Sequence, residues 1–172
     1  LEIKIVDEED REVPVGETGQ ILVRGPNVMK GYFRNREETN AALANGWLHT
    51  GDLGRVDEQG FFYFVDRLKD VIKSGGLNVY AREVEDAIMT HPKVAEVAVI
   101  GVPHPKWGES VRAVVVPRPG VELTTQDVIG HCREILAGYK KPTSVVFAPD
   151  LPKDTFGSKV KKEILRSQYG RS

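Results

Sequence analysis

The run at residues 66–85, DRLKDVIKSGGLNVYAREVE, constrains this chain more than any other stretch. Within it the hydrophobic period changes from strand-like to helix-like across a glycine pair. Val71 and Ile72 end a short apolar strand, and Gly75-Gly76 lets the backbone take positive φ or pass close to a ligand. After Tyr80, Val84, Ala87 and Ile88 fall on one helical face, with Glu83, Glu85 and Asp86 on the other. The pattern predicts a strand, a glycine turn and an acidic helix. Taken alone, the glycine pair reads as an ordinary surface turn.

The flanking patterns place this run at a boundary. Residues 1–7 and 19–24 alternate like half-buried strands around a polar turn at Pro14-Val15-Gly16. Residues 37–43 predict a short helix ended by Asn45-Gly46, and residues 53–56 and 61–65 predict a hairpin. Beyond the run come a helix at 82–90 stopped by His91-Pro92, strands at 94–100 and 111–116, and a helix from Thr124 to about Leu136. A third strand at 144–147 and a short helix at 160–166 complete the chain. The expected fold class is α+β, with the boundary at 67–69. Residues 1–68 form a β-rich piece, and residues 69–172 form a small domain with a short three-stranded antiparallel sheet, a hairpin and flanking helices.

Composition excludes several classes. At 172 residues the chain fits one domain or two small ones. A net charge of −1 with 28% charged residues gives no global field for nucleic acid or an anionic membrane. Lysines cluster late, at Lys140-Lys141 and at Lys159, Lys161 and Lys162, as either a solvated surface or an anion site. Cys132 is the sole cysteine, which excludes an intrachain disulfide and favours a reducing compartment; its place in HCREIL predicts a half-buried thiol. The longest apolar runs, VAEVAVIGV and VRAVVVP, are strand-length and far short of a membrane span. No metal-ligand spacing stands out, and no basic-then-apolar leader precedes the first strand, so the expected location is the cytoplasm.

Two distant segments add to the central run. Upstream, Gly46-Trp47-Leu48-His49-Thr50-Gly51-Asp52 precedes LGRVDEQGFFYFVDR; downstream, Leu151-Pro152-Lys153 leads through Gly157 to Lys159. In this order the segments resemble the Trp-x-x-Thr-Gly-Asp signature, the hinge motif and the C-terminal lysine loop of the adenylate-forming enzymes. That superfamily comprises acyl-CoA synthetases, peptide-synthetase adenylation domains and beetle luciferases. The resemblance covers about residues 21–165. It implies that residues 1–68 are the end of the large AMP-binding domain and residues 69–172 the mobile C-terminal domain. The phosphate loop and acyl pocket that precede this region in the superfamily lie outside the chain, which therefore reads as a C-terminal fragment.

The resemblance also assigns roles. Asp52 becomes the ligand of the ATP ribose, where two acceptor oxygens on a short stem suit two hydroxyls; the local alternative is an Asx turn. Arg67 joins it at the ribose, or else pairs with Asp66 or Asp70. Lys69 occupies the hinge at which the C-terminal domain swings between two reaction states. Gly75 and Gly76 line the pantetheine tunnel, with Lys73 beside it as an anion contact or a plain surface lysine. Val102-Pro103-His104-Pro105-Lys106-Trp107-Gly108-Glu109 resembles the family's Gly-x-Pro-Asp-x-x-x-Gly-Glu loop, with His104 in place of aspartate. Trp107 either stacks on an adenine or caps the sheet edge. Tyr139-Lys140-Lys141-Pro142 matches an aromatic-Lys-x-Pro element, which puts Tyr139 and Lys141 near the CoA nucleotide. Lys159 is the catalytic lysine of adenylation, with Lys161 as the alternative, because Ser158 adds one residue to the usual Gly-Lys spacing. Acetylation would cancel the charge of Lys159, which makes a lysine acetyltransferase a candidate partner.

The implied parent is an acyl- or aryl-CoA ligase that uses Mg-ATP, CoA and a carboxylic acid. It forms acyl-AMP and pyrophosphate, then the acyl-CoA thioester. SGGLNVY followed by an acidic helix resembles the CoA-ligase branch more than the peptide-synthetase branch. Two other readings stay open: an adenylation domain that loads a carrier protein, and a non-catalytic interaction module. The expectation is that the 172-residue chain by itself is inactive. Pyrophosphate release by the isolated chain with ATP and fatty or aromatic acids would contradict it.

Overall fold

Alternation of apolar and polar residues builds the first sheet in the computed structural model, which describes residues 1–157 and 159–170. The chain divides into two units, Leu1–Lys69 and Asp70–Ser172. In the first, strands β1 (Glu2–Val6), β2 (Gly19–Arg24), β3 (Leu48–Val56) and β4 (Phe62–Arg67) form an antiparallel sheet in that order. Ile5, Val6, Leu22 and Leu53 supply its buried apolar residues. Helix α1 (Arg36–Ala42) starts where the Asn35 side chain accepts a hydrogen bond from the Glu38 N–H at 3.1 Å. The β3–β4 turn closes on Asp57, whose Oδ1 accepts the N–H groups of Gln59 and Phe61 at 3.0 and 2.9 Å.

β3 starts earlier than the alternation predicts. Thr50-Gly51-Asp52 lies inside the strand rather than before it, because Gly51 at φ +73° lets the chain bulge without leaving the ladder. Gln20 pairs with Leu53 and Leu22 with His49, so Ile21 alone faces the three bulged residues.

The second unit is layered. Strands β5 (Ile72–Ser74), β6 (Leu77–Val79), β7 (Val94–His104), β8 (Gly108–Pro117) and β9 (Ser144–Phe147) share one sheet. Helices α2 (Ala81–Met89) and α3 (Thr125–Ile135) cover one face, and α4 (Lys162–Tyr169) covers the other. The period of two sorts the residues. Val99, Val111, Ala113 and Val115 pack with Val84, Ile88, Val128 and Cys132, whereas Ala98, Ile100, Val102 and Val114 pack with Leu151 and Leu165. Each fully buried branched side chain here stabilises the fold by about 1.5–3 kcal/mol. A capping box starts α3: Thr124 Oγ1 accepts the Asp127 N–H, and the Asp127 carboxylate accepts the Thr124 N–H.

The chain is α+β as expected, with differences in detail. Gly75 and Gly76, at φ +60° and +80°, form a two-residue hairpin turn, so the central run is strand, turn, strand and helix. Leu77–Val79 is too short to show a period in sequence. The sheet has five strands rather than three, and β9 runs parallel to β8 because α3 carries the chain back between them. β7 and β8 extend into the turn at His104 and Gly108, and α4 starts at Lys162 because Val160 bridges Lys153 instead. Cys132 is fully buried, not half-buried, and burial pushes its thiol up to about 11, which removes it as a nucleophile.

Two consequences are measurable. Leu165→Ala should cost about 2–5 kcal/mol in urea denaturation, because Leu165 is fully buried, while Ile164→Ala on the exposed side of α4 should change stability by less than about 0.5 kcal/mol. Equal losses would contradict the packing of α4. Burial, reinforced by the neighbouring His131, holds the His91 imidazole below its usual 6.5. The unfolded chain then binds a proton that the folded chain refuses, so the contribution of His91 is complete above pH 6.5 and is lost as pH falls through its lower folded value. A His91→Gln variant should flatten stability between pH 6.5 and 5, above the carboxylate range.

Candidate functional site

The bulge in β3 sets the position of Asp52. Thr50 Oγ1 donates to the Ile21 carbonyl at 2.8 Å and accepts the Asp52 N–H at 3.1 Å, which fixes the Thr-Gly-Asp backbone. Next to it, His49 Nε2 lies 3.1 Å from Asp10 Oδ1, and the hydrogen bonds of His49 and Asn45 hold the Asp10 carboxyl below the usual range. Across the ladder Asp52 faces Arg67, with Arg67 Nε 3.0 Å from Asp52 Oδ1. That charge contact lacks hydrogen-bond alignment, so Oδ1 is a buried carboxylate oxygen with no hydrogen-bond partner among the described residues. Such an atom calls for a hydrogen-bond donor from water or a ligand. The Thr-Gly-Asp turn is thus closed by the Thr50 hydroxyl.

Trp47, in the same signature, has a structural role that the sequence does not announce. Lys4 and Arg24 stand 4.7 and 4.4 Å from its ring centre. It also lines a groove of about 580 Å³ with Val13 and Phe62, away from Asp52.

Lys69 lies in a 3-10 turn, Leu68–Asp70, at the end of the first unit. In the second unit, Asp70 pairs with Arg166 of α4 at 2.8 Å. The structure brings Lys73, Gly75, Gly76 and Trp107 together. The Gly75 N–H donates to the Trp107 carbonyl at 2.8 Å, and a Cβ on Gly75 would stand 2.9 Å from the indole Cε3. Lys106 lies 4.5 Å above that indole, which is 45% exposed, and His104 stacks against it at 27°. Trp107 thus covers the glycine turn.

Tyr139 and Lys141 follow α3 in the chain. Lys140 between them is bound to Glu83 at 2.7 Å, and this hydrogen bond raises the lysine's pKa. Lys141 and exposed Tyr139 remain available to a ligand. The lysine loop forms a narrow ribbon. The Asp154 N–H donates to the Lys159 carbonyl at 2.9 Å, and the Lys161 N–H to the Pro152 carbonyl at 2.8 Å. Lys153 pairs with Glu96 and Lys162 with Glu85, at 2.7 and 2.6 Å. Among the described residues Lys159 and Lys161 are exposed and have no carboxylate partner. Ser158 lies outside the described residues. The pairs Asp70–Arg166, Lys140–Glu83 and Lys162–Glu85 join residues roughly 57–96 apart in sequence, and no local signal announces them.

Among the described residues no group of three or more His, Cys, Asp or Glu side chains is placed to hold a metal ion. No described helix is long and apolar enough to cross a membrane.

Comparison with known proteins adds the family. Residues 83–157 match the family model for the AMP-binding enzyme C-terminal domain, and residues 1–33 match that for the AMP-binding enzyme. The chain is 44% identical over 170 residues to a long-chain-fatty-acid–CoA ligase of Escherichia coli O6:H1, covering 99% of this chain and 30% of that protein. It is 46% identical over 165 residues to a feruloyl-CoA synthase of an Amycolatopsis species, covering 96% of this chain and 34% of that protein. An ATP-bound structure of MatB from Rhodopseudomonas palustris superposes with a TM-score of 0.91 at 43% identity, covering 98% of this chain and 34% of that one. The chain spans about a third of the length of the relatives it matches. It belongs to the AMP-binding, adenylate-forming enzyme family.

Proposed function

We propose that this chain is the C-terminal part of an AMP-forming acid–thiol ligase that converts a carboxylic acid to its CoA thioester. The observation that carries the reading is Asp52 on its strand bulge, whose buried Oδ1 meets the Arg67 guanidinium at 3.0 Å without an aligned hydrogen bond. A ribose supplies what that pair lacks, two hydroxyl donors for the carboxylate, with Arg67 reaching the same sugar. The CoA ligase and synthase names of the relatives support the second substrate. In this reading residues 1–68 end the AMP-binding domain, residues 69–172 form the mobile domain, and Lys69 is the hinge.

The chemistry divides into two displacements. A carboxylate oxygen attacks the α-phosphorus of Mg-ATP and pyrophosphate leaves, which gives acyl-AMP. The CoA thiolate then attacks the acyl carbonyl and AMP leaves. In the first step charge builds on the α-phosphate, and an exposed ammonium on the 153–160 ribbon is suited to meet it. Lys159 takes that role by its place in the motif, with Lys161 as the alternative, since Lys153 and Lys162 are committed to carboxylates. In the second step Gly75 and Gly76 offer bare backbone beside the pantetheine arm, with Trp107 above the turn and Lys73 at its side. Tyr139 and Lys141 suit the CoA nucleotide as a ring face and a point charge.

A paired assay tests the reading in the parent protein. Lys159→Ala should slow pyrophosphate exchange about 10²-fold or more, and should leave CoA consumption from synthetic acyl-adenylate near wild type. Loss of exchange in Lys161→Ala but not in Lys159→Ala would move the role to Lys161. Unchanged exchange in both would remove the adenylation role from this loop.

A further inference from the structure

The glycine turn is held by little apolar contact. Ile72 and Val79 bury the base of the β5–β6 hairpin, but Lys73, Gly75, Gly76 and Leu77 at its tip are exposed. β5 meets β8 at a single register pair, Ser74 with Gly108. Its neighbours on either side are tied differently. The Gly75 N–H donates to the Trp107 carbonyl at 2.8 Å, and the Lys73 N–H donates to Oε2 of the Glu109 carboxylate at 2.8 Å. Residues 73–75 are thus joined to residues 107–109 by successive contacts, and the bond to Glu109 is charge-assisted.

Gly101 in β7 makes room for that carboxylate. A Cβ there would stand 2.6 Å from Glu109 Oε1 and 2.9 Å from its Cδ. Gly101 does not occupy the left-handed region, so its backbone does not require glycine. The missing side chain therefore serves the carboxylate rather than the chain's own conformation.

We infer that Glu109 is a positioning residue for the thiol-transfer step: through the Lys73 N–H it fixes the Gly75-Gly76 turn against Trp107, where the acyl acceptor's arm passes. This role rests on the CoA-ligase reading above and adds to it a residue that touches no substrate. Removing the carboxylate frees the turn to sample other positions, and binding of the acceptor then draws on only the fraction that remains aligned.

The test uses three variants of the parent protein. Glu109→Ala and Gly101→Ala should each raise KM for CoA about tenfold with acyl-adenylate as co-substrate, and should leave pyrophosphate exchange unchanged. Glu109→Gln keeps an acceptor oxygen at the same reach and should restore most of the CoA affinity. The double variant Glu109→Ala/Gly101→Ala should be no worse than Glu109→Ala, because both act on one bond. Hydrogen exchange should quicken in peptides covering residues 71–80 in the two alanine variants, and stay unchanged in β7 and β8. Equal loss of both half-reactions, or an unchanged KM for CoA, would make Glu109 a plain structural contact and overturn the role. A wild-type parent that makes acyl-adenylate but consumes no CoA would instead sink the ligase reading, and this role with it.

Discussion

Burial on both faces of the β7–β8 hairpin is the constraint on which the second unit depends. Val99, Val111, Ala113 and Val115 point one way, and Ala98, Ile100, Val102 and Val114 the other, so neither face tolerates water. Two helices must cover the first face and α4 the second. The register from Val94–Pro117 down to His104–Gly108 is locked by that pattern, since a slip of one residue would exchange the faces. The hairpin's far end, at His104–Gly108, is therefore delivered to a fixed place. There Trp107 meets Gly75, and Glu109 meets Lys73. A large apolar ladder orients a small polar turn that could not hold itself.

The first unit solves a related problem with less core. Four buried apolar residues cannot rigidify a loop, so the Thr-Gly-Asp segment is kept in the ladder as a bulge and pinned through Thr50. Strand placement limits how far the Asp52 side chain can move. Asp52 Oδ1 consequently stays buried against Arg67, without an aligned hydrogen bond, instead of swinging out to solvent. The energetic cost of that oxygen is local, of the kind that functional sites carry and folding alone does not select.

Legibility in the sequence follows period and locality. β2, β9, α2 and α3 are readable because each obeys a clear period or cap: Thr124 and Asp127 spell out a helix start by residue type and spacing alone. β6 is not readable, because three residues between Gly76 and Tyr80 cannot display an alternation, although the Gly-Gly pair is itself a hairpin signal. The parallel setting of β9 escapes for a different reason: strand direction depends on the α3 crossover and not on the composition of SVVF. At the site, the motif positions Asp52, Arg67, Gly75 and Lys159 are visible in the chain. Thr50 and Glu109 stand in the same motifs, but the contacts they make, and the room Gly101 leaves, are not legible, since each arises through geometry that only folding creates.

Ion pairing sorts the basic residues of the second unit into two populations. Lys140, Lys153, Lys162 and Arg166 each meet a carboxylate, on Glu83, Glu96, Glu85 and Asp70, and three of those carboxylates lie before β7. The pairs attach the end of the chain to the start of the unit: α4 to Asp70 at its first residue and to Glu85 on α2, the 139–142 segment to Glu83 on α2. Exposed pairs of this kind add little stability, but the side chains of Lys162 and Glu85 are 14% and 20% exposed, where misalignment is costly. With α4 held in this way, the ribbon that ends at Lys161 has a fixed exit. A lysine that must reach a phosphate needs such a base, because the length of its own stem leaves its direction undetermined. Pairing of the neighbouring lysines commits them to carboxylates, which leaves Lys159 and Lys161, among the described residues, as the cations this ribbon can extend.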